Sequence, residues 1–180
     1  MDIIVTGEIG IGKTTVCQRI IEIARNLGYT CGGIITYKAP DQGIIIKDVQ
    51  TGEQEVLASI NNVYQGPRTG KYFFNPAGIE FGVRAIDQGV SSDIVFVDEI
   101  GYLELTGSGF VQALKLIGTE KVKSSLLVIR KELLAAFSSR LGSKPSIFET
   151  TSENRDELPQ KIGAVLSRNL SVLSTKTENK

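Results

Sequence analysis

The segment of residues 7–14, GEIGIGKT, constrains the fold of this chain most, because it matches the phosphate-binding pattern G-x-x-x-x-G-K-[ST] without a departure. Three β-branched apolar residues at 3–5 precede it and predict a buried strand. From Lys13 to Gly28, apolar residues recur at helical spacing and predict a helix. A strand that turns through glycines into a helix exposes backbone N–H groups, which bind phosphate. The chain is therefore predicted to be an α/β protein with a phosphate loop, residues 7–15, after its first strand.

Each part of the phosphate loop has a predicted role. Gly7, Gly10 and Gly12 let the backbone bend and approach phosphates closely without a Cβ in the way. Lys13 supplies a mobile positive charge for the β- and γ-phosphates and is a predicted catalytic residue, and Thr14 offers a hydroxyl to Mg²⁺. The third glycine of the dinucleotide-binding fingerprint is missing, so that class is excluded. The remaining predicted nucleotide contacts are Glu8, Ile9, Ile11 and Thr15.

An acidic pair, Asp98 and Glu99, directly follows four apolar residues at 94–97. Such a run predicts a strand that is buried on both faces, as in a parallel sheet. The strand would bring Asp98 to the carboxyl edge of the sheet beside the phosphate loop, where it can hold Mg²⁺ through a water molecule. Glu99 can orient the attacking water or accept its proton. Glu104 either supports Mg²⁺ or a substrate or is a solvated loop residue, and the solvated loop residue is the favoured expectation.

Two further segments follow predicted strands and therefore point to the same edge of the sheet. Arg130 follows the strand predicted at residues 126–129, and it is a candidate to stabilise charge on the γ-phosphate, with a surface salt bridge as the alternative. In the loop after the last strand, Asn154 could bond the base edge and Arg155 could stack on its face. Equally, this loop could simply cap the helix that follows it.

The rest of the chain alternates apolar strands with helical patterns, which predicts a three-layer α/β fold with a mostly parallel central sheet. Residues 43–49 and 53–57 flank the turn signal Thr51-Gly52 and predict an added antiparallel hairpin. A single domain is predicted for residues 1–168 and a polar tail for 169–180. The other predicted strands are 32–36, 71–74 and 146–148, and the other predicted helices are 76–87, 109–117, 132–141 and 152–166.

Composition excludes several classes of function. The chain has no His, so His-based triads and His metal sites are excluded. Lys plus Arg number 20 and Asp plus Glu number 20, so no basic excess points to a nucleic-acid partner. Only two cysteines occur, and no apolar run is long enough for a membrane helix. A cytoplasmic protein without a membrane segment is expected.

The motifs together resemble a known family, the small nucleoside-triphosphatases first described from thermophiles, which has a human cancer-related member. Besides the phosphate loop, the resemblance depends on VDEIGYLEL at residues 97–105, GKY at 70–72 and ENRD at 153–156. It implies a RecA-like core and slow, Mg²⁺-dependent hydrolysis of the γ-phosphate of ATP, GTP and other nucleotides with weak base selectivity. It also implies that Glu99 assists the water.

The chain departs from the family pattern in two places. Residues 36–40 read TYKAP where the family usually has the acidic segment TEEVR, so a role for the family's arginine is in doubt. Leu103 stands where the family usually has Met.

Three functions remain open from the sequence. The main hypothesis is a nucleoside-triphosphatase. The second is a nucleoside or nucleotide kinase, because basic residues are frequent at 130–144. The third is a nucleotide-dependent binding switch with little turnover. The sequence does not identify a protein partner.

Overall fold

In the computed structural model, residues 1–115, 119, 121–138 and 144–177 are described. Nine strands within these ranges form one sheet, and helices cover it. The strands are β1 (Asp2–Thr6), β2 (Cys31–Lys38), β3 (Ile44–Asp48), β4 (Gln54–Ser59), β5 (Arg68–Thr69), β6 (Tyr72–Phe74), β7 (Ile94–Ile100), β8 (Ser125–Ile129) and β9 (Ser146–Glu149). The helices are α1 (Lys13–Asn26), α2 (Pro76–Gly89), α3 (Tyr102–Leu105), α4 (Val111–Leu114), α5 (Leu134–Ser138) and α6 (Leu158–Thr177), with a 3₁₀ turn at Lys131–Leu133 before α5.

The core of the sheet is parallel, in the order β2-β7-β8-β1-β9. Its central strands are the apolar runs of the sequence, and β1, β8 and the first five residues of β7 are buried throughout. β8 pairs with β1 on one side and with β7 on the other. The carboxyl ends of β1, β7, β8 and β9 therefore meet along one edge of the sheet, as ligand sites of parallel α/β sheets require.

Two hydrophobic clusters lie on opposite faces of the sheet, because successive side chains of a strand point to opposite sides. In β1, Ile3 and Val5 belong to the cluster that contains the apolar faces of α1 and α6. Ile4 belongs to the other cluster, together with Ile86 of α2. The predicted three-layer α/β architecture is confirmed.

The predicted antiparallel hairpin is also confirmed and forms part of a larger extension of the sheet. β3 pairs antiparallel with both β2 and β4, and β4 continues to β6 and β5. Gly52 has a φ of 81°, which favours glycine, and its N–H donates to the carbonyl oxygen of Asp48 at 3.0 Å. The two-residue strand β5 was not predicted.

The last helix differs from its prediction at both ends. Residues 152–157 form turns, and the regular helix begins at Leu158, six residues later than predicted. At the other end the helix continues beyond Arg168 to Thr177. Leu170 is only 3% exposed and packs in the α1–α6 cluster, so part of the predicted polar tail is helix with a core contact.

The two helices predicted at 109–117 and 132–141 are shorter within the described residues. The first is present as α4, and residues 116–118 lie outside the described residues. The second is present as the 3₁₀ turn and α5, and residues 139–141 likewise lie outside them. None of the helices in the described part of the chain combines the length and the hydropathy needed to cross a membrane.

Candidate active site

The glycines of the phosphate loop adopt backbone conformations that a side chain would oppose. Gly7 has a φ of 145°, and a Cβ built there would lie 2.6 Å from the carbonyl oxygen of Thr150. Gly12 has a φ of 106° in the left-handed region directly before α1. The loop after β9 therefore touches the phosphate loop, and it does so only because residue 7 has no side chain.

Lys13 points back into the phosphate loop. Its side chain is 6% exposed, and its Nζ donates to the carbonyl oxygens of Gly7 at 3.0 Å and Glu8 at 2.9 Å. The loop thus holds a positive charge beside the N-terminus of α1, where backbone N–H groups attract anions. At the tip of the loop, Ile9 is 71% exposed. Thr14 is partly buried and Thr15 is exposed.

Asp98 is completely buried, and neither carboxylate oxygen has a hydrogen-bond partner. Burial raises the pKa of Asp98 to about 7. The Thr14 side chain, the negative charge of Glu99, the Thr36 backbone and Lys13 also act on this pKa, and of these only Glu99 raises it. The Thr14 hydroxyl and the Thr36 backbone are close enough to lower the pKa, but neither forms a hydrogen bond of normal geometry with Asp98. A buried carboxylate without partners is costly, so this position favours a bound cation.

Glu99 lies where the pairing of β7 with β8 shifts by one residue. Asp98 pairs with Val128 and Ile100 with Ile129, which leaves Glu99 as the extra residue of the irregularity. Such irregularities turn a side chain away from the regular alternation of a strand. The Glu99 carboxylate lies 3.8 Å from Lys13 Nζ and 3.2 Å from the Arg130 guanidinium. It therefore connects the phosphate loop to the end of β8.

Arg130 follows β8 and has its guanidinium 5.7 Å from the centre of the Tyr102 ring, within the range of a cation–π contact. Its Nε is buried and has no hydrogen-bond partner. The structure thus brings together Lys13, Asp98, Glu99 and Arg130 as the sequence predicted, and Tyr102 is a contact that the sequence analysis missed. Only its position three residues after Glu99 could have pointed to it.

The loop after β9 is held together by Asn154. The Asn154 side chain accepts from the N–H of Thr151 at 2.9 Å and donates to the carbonyl oxygen of Glu149 at 2.8 Å. These bonds favour the local, capping role over recognition of a base edge. Arg155 is exposed, and its Cδ lies 3.9 Å from a Cβ built at Gly12, so its side chain is adjacent to the phosphate loop.

Glu104 contradicts its prediction, because it is 3% exposed rather than solvated. Its carboxylate accepts from the backbone N–H of Gly101 at 2.8 Å and of Phe110 at 2.9 Å. The first bond caps α3 from its third residue. The spacing Gly101-x-x-Glu104 is a signal for such a cap. Glu104 thereby fixes the segment that carries Tyr102.

A cleft opens beside Glu99 and Arg130, with a volume of about 60 Å³. One wall comes from the antiparallel extension, and the other comes from the segment that follows β7. We call it the side cleft. Its polar lining residues include Thr36, Thr69, Tyr102, Glu99 and Arg130.

Comparison with known proteins agrees with this geometry. A sequence model of the family described as NTPase matches residues 2–163. The chain belongs to this NTPase family. It is 35% identical over 166 residues to nucleoside-triphosphatase THEP1 of Methanosarcina barkeri. The aligned region covers 89% of this chain and 94% of that protein. It is 33% identical over 179 residues to the protein of the same name from Pyrococcus abyssi, and the aligned region covers 94% of this chain and 96% of that protein.

The fold of this NTPase family member is also found in a solved structure. The crystal structure of THEP1 from the hyperthermophile Aquifex aeolicus matches it with a TM-score of 0.76, over 92% of this chain and 99% of that one. The sequence identity is 24%, so this likeness shows the fold alone. The shared fold is that of P-loop NTPases.

Proposed function

We propose that this chain is an enzyme that hydrolyses nucleoside triphosphates to the diphosphate and phosphate, with Mg²⁺ and with weak selectivity for the base. ATP, GTP and other nucleotides would be its substrates, and the cytoplasm its place of action. The observation that carries the proposal is the fully buried, unpartnered Asp98 carboxylate beside Thr14, next to Glu99 and Lys13.

The residues present fit Mg²⁺. Thr14 offers a hydroxyl and Asp98 a carboxylate, and these oxygen ligands suit a hard cation that keeps waters and binds substrate phosphates. Within the described ranges there is no cluster of three Asp, Glu, Cys or His side chains that would hold a metal by itself. When bound, Mg²⁺ would supply positive charge to the phosphate oxygens.

The chain's own residues account for the remaining parts of the reaction. Lys13 is held by two carbonyl oxygens and can turn to a γ-phosphate without leaving the loop. Arg130 can stabilise the charge that develops on the transferred group. Glu99 is 28% exposed, so a water molecule can reach it, and its carboxylate can accept the proton of that water.

The loop after β9 supports the proposal of weak base selectivity. The Asn154 amide already bonds the backbone of its own loop on both its oxygen and its nitrogen. Arg155 is exposed and can stack on a base, and stacking does not depend on the hydrogen-bonding pattern of the base edge. The loop therefore offers a stacking surface for any base, and no free amide that would distinguish one base edge from another.

The experiment is phosphate release from ATP, GTP, CTP and UTP with Mg²⁺, for wild type and four variants. Glu99→Gln should lower kcat by about 10²–10⁴ while nucleotide affinity is kept, because a base is lost and the shape is preserved. Lys13→Ala should lose affinity and turnover. Arg130→Gln should lower kcat by about 10³ or more.

The matched control for Arg130 is Arg84→Gln. Arg84 is exposed on α2 and pairs with Glu80 at 3.1 Å, away from the phosphate loop and from Glu99, so wild-type kcat is expected. Wild-type turnover in Glu99→Gln would contradict the assignment of the base. Phosphate release only when a nucleoside or monophosphate is added would instead favour the kinase.

A further inference from the structure

The side cleft adjoins the place where the γ-phosphate is proposed to bind. Glu99 lines the cleft and also contacts the phosphate loop, because its carboxylate lies 3.8 Å from Lys13 Nζ. Arg130 lines it too, and the buried Nε of that side chain has no partner. A molecule in the cleft is therefore next to the proposed base and next to the charge that would stabilise transfer.

The lining of the side cleft suits a small neutral molecule that carries a hydroxyl group. Thr36 and Thr69 both line it, and within the described part of the chain neither hydroxyl forms a hydrogen bond. They can donate to or accept from an alcohol. Glu104 also lines the cleft, and its carboxylate already accepts from two backbone N–H groups. Most of the remaining wall is apolar, formed by Ile44, Leu57, Phe74, Ile79, Leu103 and Phe110. A charged molecule would lose hydration against this wall, whereas a short carbon chain would not.

The size of the cleft limits what it can hold. The volume of about 60 Å³ exceeds the roughly 10–15 Å³ that one water molecule needs. Water fits, and so does a diol of two carbons. A nucleoside is several times larger than this space, so a small alcohol is the better match to it.

We propose that the side cleft binds small neutral alcohols and that the enzyme transfers the γ-phosphoryl group to them in competition with water. The inference depends on the proposed hydrolysis, since it uses the same base and the same phosphate site. The alcohol oxygen forms a bond to the γ-phosphorus, and the bond from that phosphorus to the β–γ bridging oxygen breaks. Glu99 accepts the hydroxyl proton. The products are an alkyl phosphate and the nucleoside diphosphate, and nothing is oxidised or reduced.

The test is the product ratio in the presence of ethylene glycol, which has four non-hydrogen atoms. Wild type is incubated with Mg²⁺ and ATP, and ³¹P NMR measures hydroxyethyl phosphate against inorganic phosphate. If the cleft binds the diol, the transferred share exceeds the molar ratio of diol to water by about tenfold or more, because a bound nucleophile has a raised effective concentration.

Thr69→Val tests the cleft directly, because it removes a hydroxyl and preserves the shape. The transferred share, measured as alkyl phosphate relative to inorganic phosphate in the same reaction, should fall about fivefold, the effect of one hydrogen bond. Thr51→Val on the exposed β3–β4 turn is the matched control and should keep the wild-type share.

A wild-type share equal to the molar ratio, or a Thr69→Val share equal to that of wild type, would overturn the inference and leave the hydrolysis intact. Absence of ATP turnover both with and without the diol would instead contradict the proposed hydrolysis itself. The two failures are therefore distinguishable.

Discussion

Glu104 brings a carboxylate into the interior beside the candidate active site. It accepts two backbone hydrogen bonds, from Gly101 and Phe110, and each stabilises the loop that carries Tyr102. Burial nevertheless raises the pKa of Glu104 above its ordinary 4.5, and the two backbone bonds and the positive charge of Arg130 offset this only in part. The folded state therefore binds a proton at Glu104 more tightly than the unfolded state does.

This shift makes a prediction about pH. Because the pKa of Glu104 is raised in the folded state, protonated Glu104 contributes to the free energy of unfolding. This contribution is complete below about pH 4.5 and is lost as the pH rises through the pKa of the folded state. Glu104→Gln cannot ionise, so its free energy of unfolding should lack this decline. It should also be lower by about 1–3 kcal/mol at acidic pH, because the amide NH₂ group faces a backbone N–H. Urea unfolding across a pH series measures both effects.

The matched control for this prediction is Glu132→Gln. Glu132 is exposed and has only a 3.5 Å contact with the Tyr102 hydroxyl. The variant should keep the wild-type dependence of stability on pH. Parallel curves for wild type and Glu104→Gln would show that Glu104 is not the group responsible.

The residues that sequence could identify are those whose chemistry is local. Lys13 and Thr14 belong to one continuous motif, and Asp98 and Glu99 follow one apolar run. The contact between Gly7 and Thr150 has no such local signal, because these two residues are 143 positions apart in the sequence. Similarly, Glu104 is buried and its carboxylate accepts from the backbone N–H of Phe110, so the expectation of a solvated loop residue is wrong.

At the scale of elements, α6 shows how a polar sequence conceals a buried position. Residues 169–180 are mostly polar, which predicted a tail, yet Leu170 lies in the core cluster with α1. It continues the buried stripe of Leu158, Ile162 and Leu166 at a spacing of four residues. One apolar residue in helical register was enough to extend the packed helix.

This packing predicts the cost of removing the side chain. Leu170→Ala should lower the free energy of unfolding by about 2–5 kcal/mol, because it removes buried atoms and leaves a cavity. Leu27→Ala, the same change at a leucine that is 53% exposed, should cost about 0.5 kcal/mol or less. Urea unfolding of the two variants is the measurement. Equal small losses would show that residues beyond 168 are a tail after all.

Other element boundaries depend on side-chain hydrogen bonds, which the periodicity of apolar residues does not reveal. The helical pattern predicts that α6 begins at residue 152, but Asn154 bonds Thr151 and Glu149 and holds that stretch in turns. Runs such as residues 94–97 were predicted well, because an apolar strand buried on both faces has few alternatives.

At the scale of the whole molecule, the order of strands could not be predicted from local patterns. β8 lies between β1 and β7, so the phosphate loop and the acidic pair are separated by the strand that ends before Arg130. This order explains why one arginine reaches Glu99. It follows from how the crossover connections pack, which local periodicity does not encode.

The proposed nucleotide site is built from residues that follow four strands of one sheet, β1, β7, β8 and β9. Nucleotide binding should therefore be coupled to the stability of the whole fold. A ligand that binds only the folded state adds about 2.7 kcal/mol at 100 times its Kd. Mg²⁺ with a non-hydrolysable ATP analogue should therefore raise the Tm of wild type, and of Glu99→Gln by a similar amount. Lys13→Ala should show little of this shift.

Hydrogen exchange should slow in residues 7–15 and in the loop after β9, while the distant β3–β4 turn exchanges as before. Equal Tm shifts in wild type and Lys13→Ala would mean that the analogue binds outside the phosphate loop, since Lys13 makes its two hydrogen bonds within that loop.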